Sequence, residues 1–124
     1  MEFNYTGDKP LFQQVADQIS LGILNGAYQE EMQIPSTTEI SKSYQINPAT
    51  VLKGMNLLVD QELIEKKRGI GMFVLKGAKE KVRMIRKEEF LNKDVNQLIE
   101  EAKKLEINLE ELKEILERGY QAWT

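Results

Sequence analysis

The chain contains no cysteine and no histidine among its 124 residues. The missing cysteine excludes disulfides and thiolate metal sites and fits a reducing cytoplasm. Without either residue, imidazole bases and soft metal ligands are gone as well. Neither catalysis nor a metal centre is expected, and no cofactor is implied. Long apolar runs are also missing: nothing approaches the roughly 18–20 residues that a membrane-spanning helix requires. The opening Met1-Glu2-Phe3-Asn4-Tyr5 lacks the basic and apolar regions of a secretory signal, so a cytoplasmic protein is expected. A basic surplus, the usual mark of a nucleic-acid binder, is absent too. The net charge is −3; residues 1–77 carry seven Lys/Arg against nine Asp/Glu, and residues 78–124 carry ten against eleven. Any positive surface must come from local clustering, and Lys66-Lys67-Arg68 is the only run of three cations.

What is present is patterning. A hydrophobic content of 41% suffices for a core, and the length suits one compact domain or a small domain with an appendage. Leu11, Val15, Ile19 and Ile23 recur every four residues after Pro10, which predicts a helix with a buried face, ended by Asn25-Gly26. Ser36 and Glu39 have capping-box spacing, so a second helix is expected over about residues 37–44, with Ile40 and Tyr44 inward. Gln45-Ile46 turn the chain, and Asn47 with Pro48 opens a third helix. On that helix Val51, Met55 and Leu58 share the core face, while Thr50, Leu52, Lys53 and Asn56 are left to other faces. Two strands at about 63–67 and 72–76 follow, with Gly69 and Gly71 shaping the turn between them.

From about residue 78 the texture changes to charge-rich helix. One apolar stripe runs Leu91, Val95, Leu98, Ile99, Ala102 and Leu105. A second runs Leu109, Leu112, Ile115, Leu116, Tyr120 and Trp123 behind a cap at Asn108. Two amphipathic helices joined near residues 106–108 make a two-helix hairpin, which cannot bury both stripes by itself. A homodimer answers this, with Leu91, Val95, Leu98, Leu112, Leu116, Tyr120 and Trp123 as the expected interface. The expected architecture is mainly α with a small β-wing. A winged helix-turn-helix DNA-binding domain would occupy residues 1–77 and a helical dimerisation region residues 78–124.

The residues that carry these elements resemble the GntR superfamily of bacterial transcription regulators. They are Pro10-Leu11-Phe12-Gln13-Gln14-Val15, Ile34-Pro35-Ser36, Ile46-Asn47-Pro48-Ala49-Thr50-Val51, Leu63-Ile64-Glu65 and Gly69-Ile70-Gly71-Met72-Phe73-Val74. The short C-terminal part is similar to the YtrA-like subfamily in length and helical character. The resemblance implies a homodimer that binds a palindromic operator in double-stranded DNA, commonly as a repressor. Larger members carry a ligand-binding domain, for which the roughly 45 remaining residues are too few, so a small-molecule effector stays unidentified. Three positions depart from the family pattern. Thr38 and Leu52 stand where arginines are usual, and Glu30-Glu31-Met32 stands where Pro-Gly-Asp is usual.

A DNA role assigns contacts to three groups. Ser36, Thr37 and Thr38 lead into the second helix, whose free N–H groups suit a phosphate. Asn47, Ala49, Thr50 and Lys53 begin the third helix, where groove-facing residues belong, although Asn47 also reads simply as a cap and Lys53 as solvated. Lys67, Arg68 and Gly69 form the hairpin tip, suited to phosphate or minor-groove contact, or to nothing more than a solvated turn. Lys79, Lys81, Arg83, Arg86 and Lys87 read as a solvated face paired with Glu80, Glu88 and Glu89, with a strip skimming the DNA backbone in the dimer as the alternative. Thr38, Leu52 and the acidic balance leave an alternative open: a protein-interaction winged module that has lost DNA binding.

Overall fold

The fold is taken from a computed structural model, which describes residues 1–123. Helix α1 (Leu11–Leu24) begins directly after Pro10, whose carbonyl accepts the Gln13 and Gln14 N–H groups. Helix α2 (Thr37–Tyr44) and helix α3 (Pro48–Asp60) follow, joined by a turn in which Gln45 takes φ 52°. Strands β1 (Ile64–Lys67) and β2 (Gly71–Val74) form an antiparallel hairpin with Ile64 opposite Val74 and Lys67 opposite Gly71.

The apolar spacings of the sequence become one core. Val15, Ile19 and Ile23 from α1 meet Ile40 from α2, Val51, Met55 and Leu58 from α3, and Leu63, Ile64 and Val74 around the hairpin, all essentially without solvent exposure. Each such side chain contributes about 1.5–3 kcal/mol by leaving water. Helices α1 and α3 approach closely at Gly54, where a Cβ would stand 2.5 Å from the Phe12 carbonyl oxygen. Gly22 of α1 likewise leaves room for the Tyr28 ring, and burial pushes the Tyr28 phenol above its usual pKa.

Residues 31–34, unassigned by sequence patterning, lie along the free edge of β2. Glu31 N–H donates to the Val74 carbonyl at 2.7 Å, Ile34 N–H to Met72 at 3.0 Å, and Val74 N–H to Met32 at 3.0 Å. Strand β2 is therefore hydrogen-bonded on both edges, and the hairpin is not left as an isolated ribbon.

Helix α4 (Ala78–Glu89) runs into a π-helical turn at Phe90–Asp94 and on into helix α5 (Val95–Lys104); helix α6 (Leu109–Ala122) comes last. In the π turn the Val95 N–H reaches back to the Phe90 carbonyl, and the Asn96 side-chain amide donates to Asn92 O at 2.7 Å. Such a turn holds one extra residue and rotates the apolar stripe around the helix. The chain divides into two packed units, Met1–Met84 and a second beginning at Ile85. That seam lies later than the boundary expected at residues 77/78, because Ala78 and Val82 are buried in the first unit's core. In the second unit Glu106 (φ 58°) turns the chain, and Asn108 caps α6 by accepting the Glu111 N–H at 2.9 Å. Ala102 is the only residue described there that is buried.

Candidate nucleic-acid interface

The start of α2 is built around its cap. Ser36 Oγ accepts the Glu39 N–H at 3.0 Å, and the Glu39 carboxylate accepts the Ser36 N–H at 3.2 Å. The N–H groups of Thr37 and Thr38 fall in the first turn, where a helix offers them no acceptor. Thr38 is exposed, whereas Thr37 is half-buried and turns its hydroxyl toward the Met55 sulfur at 3.5 Å. That contact ties the mouth of α2 to the middle of α3.

Helix α3 divides cleanly. Val51, Gly54, Met55 and Leu58 are buried, while Ala49, Leu52, Lys53 and Asn56 form an exposed face at i, i+3, i+4, i+7 spacing. Asn47 Oδ1 accepts the Ala49 N–H at 2.8 Å, so its side chain serves as the cap. Thr50 is half-buried at the edge of this face. Lys53, expected to point outward, lays its ammonium over the Phe12 ring at 4.0 Å. A cation–π contact of this kind is worth about 0.5–1 kcal/mol at an exposed site, weak enough for a nearby anion to displace.

The hairpin tip turns between Lys67 and Gly71, with the Ile70 N–H closing on the Lys67 carbonyl at 2.9 Å. Gly69 (φ 77°) and Gly71 (φ 145°) take backbone angles that side-chain-bearing residues resist. Gln33 holds the tip from the neighbouring segment, its Nε2 donating to Ile70 O at 3.0 Å. Lys67 lies 4.0 Å from the Glu65 carboxylate and 4.4 Å from the Phe73 ring centroid. Exposed pairs of this sort hold a cation loosely. Arg68 and Ile70 stand exposed at the tip.

The structure thus joins two of the three expected contact groups through α2 and α3, and it carries the third on a braced hairpin. Leu52, Asn56 and Ile70 are exposed on these elements and were not among the expected contacts; helical periodicity had already turned Leu52 and Asn56 away from the core. Two residues of the basic segment of α4 are in ion pairs: Arg83 with Glu80 on its own helix, and Lys81 with Glu62 at 3.4 Å rather than with a carboxylate of its own helix. Among the described residues no cluster of acidic side chains could hold a metal ion, and no helix is long and apolar enough to cross a membrane.

A capped helix pair presenting one solvent face of its second helix, beside a basic-tipped wing, is a DNA-reading arrangement. Residues 11–74 match the family described as bacterial regulatory proteins, gntR family. The chain belongs to the GntR family. Members of that family are DNA-binding transcription regulators. Among its relatives, the HTH-type transcriptional repressor NagR of Bacillus subtilis is 32% identical over 76 residues, covering 61% of this chain and 31% of NagR. A GntR-family regulator from Bacteroides thetaiotaomicron is structurally similar along nearly the whole length. It is 36% identical with a TM-score of 0.73, over 92% of this chain and 99% of that one. The DNA-binding domain of AraR, solved in complex with an operator, is 27% identical with a TM-score of 0.53, over 60% of this chain and 89% of that one. The chain spans about a third of the length of the curated relatives it matches.

Proposed function

We propose that this GntR regulator is a cytoplasmic homodimer that represses transcription from a palindromic operator. In this reading α3 enters the major groove with Ala49, Thr50 and Lys53 toward the bases. The N-terminus of α2, with Ser36, Thr37 and Thr38, meets a phosphate, and Asn47 sits between them as cap. The wing tip, Lys67 to Gly69, lies on the backbone or in the adjacent minor groove. The observation that carries the reading is the single exposed face of α3, held against a capped α2 by the Thr37–Met55 contact. Kinship with the repressor NagR, and with a domain solved on its operator, supports repression and operator binding.

Dimerisation is supported by the apolar surface that the second unit leaves uncovered. Leu91, Leu98, Leu116, Tyr120 and Trp123 are exposed, the last two by 78% and 91%, and Val95 and Leu112 are only half-buried. Two-fold symmetry would set two half-sites about one helical turn apart. If each protomer neutralises roughly three or four phosphates, log affinity falls against log salt with a slope near −5 to −7. Gel shifts over a salt series on DNA upstream of the gene measure that slope. A value near zero would refute operator binding through these cations.

A further inference from the structure

The exposed face of α3 carries an apolar side chain where a polar reader of bases would ordinarily stand. Leu52 is 43% exposed, one turn beyond Ala49 and on the same face, while the core closes on the opposite side through Val51, Met55 and Leu58. Its neighbour Lys53 is drawn away toward the Phe12 ring. Ala49 and Leu52 therefore make a continuous apolar step near the N-terminal end of the helix, bordered by Asn56 one turn on. Scattered surface leucines need no explanation, but this one sits in the middle of the only solvent face of the helix that meets DNA.

On the major-groove edge of a base pair, the bulkiest apolar group is the C5-methyl of thymine. The hydrogen-bond donors and acceptors there are groups that a leucine would desolvate without repaying. We propose that Leu52 is a specificity-determining residue that reads a thymine methyl in each operator half-site, with Ala49 permitting the close approach. The inference rests on α3 entering the major groove, as set out above.

The test uses the full-length protein. Operators are first selected from a random duplex library, and each thymine of the enriched half-site is then replaced singly by deoxyuridine, which removes only the methyl. The expected result is one thymine per half-site at which uracil weakens binding roughly fourfold, as for one buried methyl, and by roughly the square of that when both half-sites are changed. Leu52→Ala should bind the thymine and uracil operators equally. Leu52→Arg should reselect guanine at that position. A Leu52→Ala protein that keeps the wild-type thymine-to-uracil ratio at every position overturns the inference while leaving operator binding intact. Failure of the wild-type protein to enrich any sequence at low salt removes the groove reading itself, and this inference with it.

Discussion

Met55 in α3 and Leu116 in α6 are both large apolar side chains on the stripe of an amphipathic helix. Met55 is fully buried, whereas Leu116 is 46% exposed. The same contrast runs through the molecule. The first unit closes a core around α1, α3 and the hairpin, and the second covers little more than Ala102. Short helices owe most of their stability to packing of the apolar face. The first unit supplies that packing from its own sequence, and the second has to find it elsewhere. In the first unit the solvent face is mostly polar and the apolar face is hidden. In the helical unit the apolar face is what remains on offer.

The largest expected effect breaks this contrast directly. Leu58→Ala should cost about 2–5 kcal/mol of folding free energy, seen as a lower urea midpoint at any protein concentration. Leu116→Ala should leave that transition nearly in place and weaken the proposed homodimer, seen as a shift toward monomer in sedimentation velocity. Equal, concentration-independent losses from the two substitutions would erase the distinction between the units. Next comes the α1–α3 contact: Gly54→Ala puts a Cβ against the Phe12 carbonyl and should destabilise by about 1–3 kcal/mol, measured by thermal melting. Its helical neighbours have no such constraint, so Asn56→Ala at the exposed face serves as the control.

The wing sharpens the comparison from the functional side. Lys67→Ala and Arg68→Ala, each removing one phosphate contact per protomer of the proposed homodimer, should each lower the magnitude of the salt slope of DNA binding by about 2 while leaving the melting temperature unchanged. A wing substitution that lowers stability instead would mean that the tip is structural.

Much of this was legible before any coordinates. The four-residue recurrence in α1, the Ser36–Glu39 box and the Asn47-Pro48 start located three helices because each rests on local chemistry. Their order, followed by a basic-tipped hairpin, made a winged domain, and the family resemblance agreed with it. The strand-like segment 31–34 escaped, because its alternation (Glu31-Met32-Gln33-Ile34) is only four residues long and it is held by hydrogen bonds to β2, which lies far along the chain. The attachment of α4 to the first core escaped for a related reason: Ala78 and Val82 are two apolar positions in a charged stretch, and their burial depends on a distant partner. At the interface, periodicity marked Leu52 and Asn56 as outward. Spacing alone does not reveal that Lys53 lies over the Phe12 ring.

The smallest effect concerns how the helices end. Gln45 closes α2 and Glu106 follows α5, both in the left-handed region at φ 52° and 58°. A side chain there costs about 1–2 kcal/mol, partly offset by the entropy a glycine would lose on folding, for a net gain of about 0.5–1 kcal/mol on substitution. Gln45→Gly should therefore raise the melting temperature of the main transition by a few degrees. Glu106→Gly relieves the same strain in a unit that contributes little buried surface, so the main transition should stay where it is. Calorimetry of both variants at low protein concentration measures the difference. An equal rise from Glu106→Gly would show that the helical unit melts together with the winged core.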